Sequence, residues 1–279
     1  MRKRDLKTGM LICLLLQIHC LSGSAIERIS AIGARESAMA LAVVALPGHF
    51  SIFQNQAFLA EEKFSSLNLS FRQPWLIKGY HESALSLVCP IPSAVLALGV
   101  AQSAVATYKE TSVSIAMAKK LTRKLSGGTC INYFFMNLPE TGRSTGSFQV
   151  DCGIGYQHSR RLSLGIHLRN CAQTAAETFQ YQLVFPLVIR CGASCRLSEQ
   201  LLLTGETAFE KDGGVAFRFG TEYKLIENFL LRGGLLTNPF QHSFGFGYRW
   251  RSCQLDFALV HHEILGYSPL FSINFNFSR

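Results

Sequence analysis

Eight charged side chains carry most of the chemistry this sequence offers: Asp151, Arg169, Glu206, Arg218, Glu222, Arg232, Arg249 and Asp256. Each stands in an alternating apolar–polar stretch, at a position the pattern turns to the polar face. Both signs occur on neighbouring stretches, so pairs such as Glu206 with Arg218 and Glu222 with Arg232 are expected. Such a set does one of two things. It fills an interior with ion pairs that hold a plug, or it forms a polar track for a substrate. Other reactive groups lack a context. His261 and His262, beside Glu263, are adjacent and point to opposite faces of a strand, so they make no two-ligand metal site. His167 faces inward alone. There is no Gly-x-Ser-x-Gly or comparable nucleophile setting, and no P-loop or dinucleotide fingerprint. The sequence therefore predicts no catalytic residue, no metal and no cofactor, and gives no support to a phospholipase or protease.

The elements that position those charges are strands. From Gly213 to Phe277 the alternation is nearly unbroken: Val215, Phe217, Phe219, Thr221 and Tyr223 share one face, and Ala216, Arg218, Gly220, Glu222 and Lys224 the other. The same pattern returns with Phe244, Phe246, Tyr248 and Trp250, with Leu255, Phe257 and Leu259, and with Phe271, Ile273, Phe275 and Phe277. A period of two means extended strands with two unlike faces. In a soluble sandwich or a lipocalin-like barrel the polar face would be rich in charge. Here it is mostly Gly, Ser, Asn and Ala, and the apolar face is strongly aromatic. That is the pattern of a closed transmembrane antiparallel β-barrel, greasy outside and polar inside. Glycine within strands suits a wall packed against something in the lumen.

Composition agrees. The chain is 279 residues, 48% hydrophobic and 16% charged, with 21 Phe; soluble domains average about 25% charged residues. Beyond the N-terminus no apolar run reaches the roughly 20 residues of a spanning helix. Arg2, Lys3, Arg4 and Lys7 precede an apolar core from Met10 to Ile18, and Gly23-Ser24-Ala25 offers a cleavage site. Residues 1–25 thus read as a secretory signal peptide, cleaved near Ala25. Cys20 invites a lipoprotein reading, but Gln17-Ile18-His19 before it fits a lipobox poorly. Loss of the signal removes four basic residues and Asp5, lowering the formal charge from +9 to +6. The remaining basic residues sit at strand ends, where they meet lipid phosphates, and form no nucleic-acid patch. Of nine cysteines, Cys13 and Cys20 leave with the signal. Seven remain, an odd number, and Cys130, Cys152, Cys191, Cys195 and Cys253 read as small apolar wall residues.

Strands are expected near 63–72, 79–89, 93–104, 110–119, 127–136, 146–158, 161–170, 184–196, 200–209, 214–224, 228–236, 240–250, 253–262 and 268–277. That makes about fourteen, an even number as a bacterial barrel requires. Tight connections, such as Pro90-Ile91-Pro92 and His158-Ser159-Arg160-Arg161, alternate with looser ones near 104–110, 136–146, 170–183, 209–214, 236–240 and 262–268. This predicts short periplasmic turns and longer external loops, with both termini periplasmic and no second globular domain.

Residues 26–62 differ from the rest. Gly33-Ala34-Arg35 opens a small-residue run, Pro47-Gly48 makes a turn, and Asn55-Gln56-Ala57-Phe58-Leu59 closes an irregular apolar segment. Too irregular for wall strands and too apolar for a solvated leader, it is expected to pack inside the barrel from 63 to 279. Here the sequence resembles the PorV/PorQ and FadL-like outer-membrane barrels, whose N-terminal hatch carries a Gly-Ala-Arg-type start and an Asn-Pro-Ala-Gly-Leu motif. Gln56 and Phe58 stand where that motif has Pro and Gly. Leu230-Leu231-Arg232-Gly233-Gly234-Leu235, Ser243-Phe244-Gly245-Phe246-Gly247-Tyr248 and the last Phe-rich strand resemble the C-terminal half of PorV-like proteins.

The resemblance implies a location in the bacterial outer membrane and one of two functions. The first is a non-enzymatic component of protein secretion or surface assembly, type IX-like, binding partner or cargo proteins at its rim; short external loops favour it. The second is a FadL-like transporter of a hydrophobic ligand, which predicts an apolar pocket above the hatch and a kinked wall strand, for which Pro186 is the candidate. Outer-membrane lipid is a partner in either case, and nucleic acid in neither.

Overall fold

A lipid-exposed sheet has no water to satisfy an open edge, so its strands must close into a circle. The computed structural model describes residues 32–138, 143–172, 174–177, 182–210 and 214–277, and its wall does close. The chain forms β1 (Ser65–Arg72), β2 (Tyr80–Ile91), β3 (Ala94–Val105), β4 (Tyr108–Lys120), β5 (Leu125–Leu138), β6 (Arg143–Gln157) and β7 (Leu162–Arg169). A small separate hairpin follows, β8 (Ala175–Glu177) with β9 (Gln182–Val184). Then come β10 (Val188–Arg196), β11 (Leu201–Glu210), β12 (Gly214–Ile226), β13 (Phe229–Thr237), β14 (Phe240–Trp250), β15 (Cys253–His262) and β16 (Gly266–Phe277). Without the β8–β9 hairpin, fourteen strands pair antiparallel with their chain neighbours, and β1 pairs β16 to close the barrel.

The faces fall as the alternation requires. Phe217, Phe219, Phe244, Phe246 and Phe271 are exposed on the outside, while Arg218, Gly220, Glu222, Ser243 and Ser272 are buried on the inside. So large an apolar surface cannot face water in a stable monomer. Tyr248 and Trp250 near one rim, and Phe71 and Tyr267 near the other, flank the apolar band as interfacial aromatics do. Among the described residues no helix is long and apolar enough to cross a membrane.

The rim where β1 starts and β16 ends is the near rim, and the opposite one the far rim. The length contrast between the two sets of connections is weaker than the sequence predicts. At the far rim the strands run on into the expected loops, leaving residues 106–107, 238–239 and 263–265 as turns. Ladder hydrogen bonds continue through polar residues such as Tyr108 and Lys109, where apolar alternation has already faded. The 73–79 and 170–187 connections are the long ones fully or partly described. The strand expected at 184–196 starts at Val188, and Pro186 lies in the connection before it. Pro186 therefore kinks no wall strand. It lacks the donor a wall strand needs, and the chain enters the wall only after it.

The signal peptide with its cleavage point near Ala25, Cys13, Cys20, residues 26–31 of the expected hatch and the C-terminal Ser278-Arg279 lie outside the described residues.

Candidate functional site: a filled lumen and a recess in the wall

Residues 32–62 lie within the barrel as two short helices, α1 (Ala34–Ala38) and α2 (Ser51–Gln54), and a 3-10 helix over Gln56–Glu61. Their fit depends on missing side chains. A Cβ on Gly128 would come within 2.5 Å of the Gln56 carbonyl carbon, and one on Gly245 within 2.6 Å of Ala38 Cβ. Gly165 and Gly234 likewise lie against the backbone of Val44 and of Met39–Ala40. Ala34, Ala38 and Ala57, all fully buried, supply the small residues on the other side of the contact. Glycine on the wall and alanine on the segment bring two backbones together, as close packing of polar chain requires.

Hydrogen bonds then fix the segment around much of the wall. Gly33 N donates to Ser70 Oγ (3.2 Å) and Ala34 N to Ser272 Oγ (2.7 Å). Ser243 Oγ donates to Ala38 O (2.9 Å) and Ser194 Oγ to Ala45 O (2.8 Å). Asn55 caps the 3-10 helix by accepting from Ala57 N (3.2 Å), and its amide donates to Val44 O (2.7 Å). Gln56, where the resembled motif has proline, uses its side chain twice. Nε2 donates to Ile52 O (2.8 Å) and Oε1 meets His167 Nε2 (3.2 Å). His167 is thus not alone, as its sequence position suggests. Phe58 packs with Val44 and Ala45, and Leu59 with Val88, Val95 and Ala97.

The charged residues form three groups. In the first, Glu206 lies between Arg190 (2.6 Å) and Arg218 (3.0 Å) and accepts from Val44 N (3.0 Å). Arg190 also donates to Gln54 Oε1 and Leu41 O, both at 3.0 Å, so this group joins wall to segment. In the second, Arg35 of α1 binds Glu222 (2.9 Å), Glu222 binds Arg232 (2.7 Å), and Arg232 binds Asp256 (2.7 Å). Arg232 reaches Asp256 across β14 because Gly247 has no side chain; a Cβ there would lie 2.8 Å from its guanidinium. Gln254 and Asn274 complete the shell of Asp256, and Arg249 joins at the exposed near-rim end through Gln254 (3.0 Å). Third, Asp151 accepts from Asn132 Nδ2 (2.9 Å) and Asn170 N (2.8 Å), with Arg169 half-buried at the end of β7.

Both pairs expected from alternation are present, on directly facing residues. Arg190 is the member that sequence reasoning missed. Pro186 obscures where its strand begins, although Arg190, Gly192 and Ser194 alternate in step. Buried charges are tolerated because every acid here has at least two donors; burial without them would be strongly unfavourable.

One buried acid lacks this. Glu36 is 3% exposed, and its Oε2 has no hydrogen-bond partner among the described residues. Its carboxylate occupies the space a side chain on Gly33 or Gly48 would fill, and Gly33 has φ 90°, a conformation that favours glycine. Desolvation pushes its pKa up to about 7, against the pull of Arg35. His49 is pushed down to about 4 by the same burial.

Two spaces remain. The first, about 30 Å³, lies beside Leu41, Arg72, Leu236 and Val260 and is the size of one water. It is too small for a hydrophobic ligand. The second is a recess of about 340 Å³ on β16, β1, β2 and β3, lined by Leu69, Phe71, Leu85, Val100, Phe271 and Ile273 with Ser83 and Gln102. That volume is at the lower bound for ligand sites. It opens on the outer face, where Ser83 leaves a gap among large side chains. Ser70 and Ala84 form its floor, and both touch the lumenal segment. Among the described residues no three His, Cys, Asp or Glu side chains are grouped to hold a metal.

Solved structures with the same overall arrangement include hydrocarbon channels and transporters. The CymD monoaromatic hydrocarbon channel superposes with a TM-score of 0.68 at 15% identity, covering 90% of this chain and 98% of that one. The chain shares that closed antiparallel barrel fold. The Ralstonia pickettii toluene transporter TbuX gives a TM-score of 0.69 at 12% identity, covering 91% and 100%. A Pseudomonas aeruginosa FadL homologue gives 0.65 at 12% identity, covering 88% and 98%. No protein-family model matches the sequence, and a search of curated proteins finds no match. None of these three is described as a PorV- or PorQ-type barrel.

Proposed function

We propose that this protein is an outer-membrane channel for small hydrophobic molecules, with residues 26–62 acting as a hatch that closes the lumen. The near rim faces the periplasm and the far rim the exterior. The observation that supports this most is the likeness along nearly the whole chain to channels for monoaromatic hydrocarbons and toluene. A filled lumen alone would suit a secretion-linked barrel equally well.

In the closed state neither water nor ligand passes, because the segment and its ion pairs occupy the lumen. A hydrophobic ligand would be received in the apolar recess beside Ser83 and reach the lumen when the hatch shifts. Ser70 and Ala84 couple the two, since they floor the recess and hold the segment. The charged groups hold the hatch and orient no reaction, and no residue is assigned a catalytic role. The test is uptake of a labelled monoaromatic hydrocarbon by cells that lack their own hydrocarbon channel and express this chain. Faster uptake than in empty-vector cells supports the proposal. Equal uptake, with the barrel folded in the outer membrane, refutes it.

A further inference from the structure

We propose that Cys152 and Cys171 are a disulfide site that staples the root of the 170–187 connection to the wall. Their thiols lie 3.9 Å apart, in contact, and no other two cysteine thiols meet among the described residues. Cys152 is on the outer face of β6, and Cys171 is the second residue after β7. Both are partly exposed.

The backbone already holds the pair in register. Cys171 N donates to Val150 O (2.8 Å), and its Sγ lies 3.1 Å from the same carbonyl. Cys152 faces Leu168 across the β6–β7 ladder. Asn170, with φ 52°, turns the chain out of the wall at this point. Its N is bound to Asp151, and its side chain donates to Phe185 O (2.6 Å) at the other end of the connection. The two sulfurs are therefore anchored on both sides, and bond formation at about 2.0 Å needs them to approach by roughly 2 Å.

An exported chain meets oxidising conditions, so the inference draws on the outer-membrane location proposed above. The step is a thiol–disulfide exchange. One cysteine thiolate attacks a disulfide of glutathione or of an oxidoreductase, forming a mixed disulfide and releasing one thiol. The second cysteine thiolate then attacks the mixed disulfide, the Cys152–Cys171 bond forms, and the second thiol leaves. Two electrons and two protons pass to the oxidant.

The test uses the full-length barrel refolded in detergent and equilibrated with glutathione disulfide, followed by alkylation and peptide mapping without reduction. The expected result is a Cys152–Cys171 linked peptide and loss of alkylation at these two positions, restored by reductant, while Cys191 stays alkylatable. In Cys171→Ser, Cys152 should become alkylatable with the gel mobility of the folded barrel unchanged. Free thiols at both positions in the oxidised folded protein, or a link from either one to another cysteine, overturn the inference. The assay involves no transport and no export, so its failure is separate from failure of the channel proposal.

Discussion

Replacing Glu222 with Gln should loosen the hatch while leaving the wall intact. The substitution keeps the shape and removes the charge that Arg35 contacts at 2.9 and 3.3 Å and Arg232 at 2.7 Å. Breaking a buried ion pair from one side costs about 3–5 kcal/mol. The loss is unequal. Arg232 keeps Asp256 at 2.7 Å, whereas Arg35 keeps only the Pro47 carbonyl at 2.8 Å. Most of the penalty therefore falls on α1 and not on the wall. A local loss of about 3 kcal/mol raises the open population of the segment by about two orders of magnitude. Hydrogen exchange of the refolded protein reads this directly. Amides of 34–46 should exchange about a hundredfold faster, while those of β12 and β13 stay protected. Glu61→Gln, which removes the exposed pair with Lys120, should change exchange by less than about fivefold. Unchanged exchange in Glu222→Gln, or uniform loss of protection across the strands, would refute the reasoning.

Gly234→Val should push the hatch out of register, since any Cβ there meets the Met39–Ala40 backbone; limited proteolysis should then cut within 34–60 while the barrel stays folded, with a local penalty of about 1–3 kcal/mol. Glu36, whose pKa rises from 4.5 to about 7 on burial, holds its proton longer in the closed state than in the open one, so closure weakens as pH climbs from about 4.5 to 7 and stays weak above. Comparison with Glu36→Gln isolates this from His49: the variant should close more tightly than the parent at pH 8 and no more tightly at pH 4, read by the same hydrogen exchange. Ser83→Phe should fill the 340 Å³ recess and lower hydrocarbon uptake severalfold without changing the amount of folded barrel.

The wall was legible because its rule is local. Each of Val215, Phe217 and Phe219 declares its face by position alone, and fourteen repetitions of that rule define a closed barrel. Glu206 with Arg218 and Glu222 with Arg232 could be paired because facing residues follow from strand order and register. Arg190 could not, since Pro186 hides where its strand begins. The lumenal segment was legible as different but not in its contacts. Arg35 meeting Glu222 and Gln56 meeting His167 join positions more than a hundred residues apart, and no period encodes such contacts. The glycines showed only that something must lie close to the wall. Cys152 reads as a wall residue and Cys171 as part of a loose connection, and the turn at Asn170 that brings them together comes from a positive φ invisible in the alternation.

Single-channel recording in planar bilayers tests most directly whether residues 26–62 close the lumen. The barrel lacking them keeps Arg190, Arg218 and Arg232 paired within its own wall, so it should fold and be comparable. The account predicts that the full-length protein is silent and that the shortened one opens steady ion-conducting steps. Steady conductance by the intact protein, or silence in both, would contradict it.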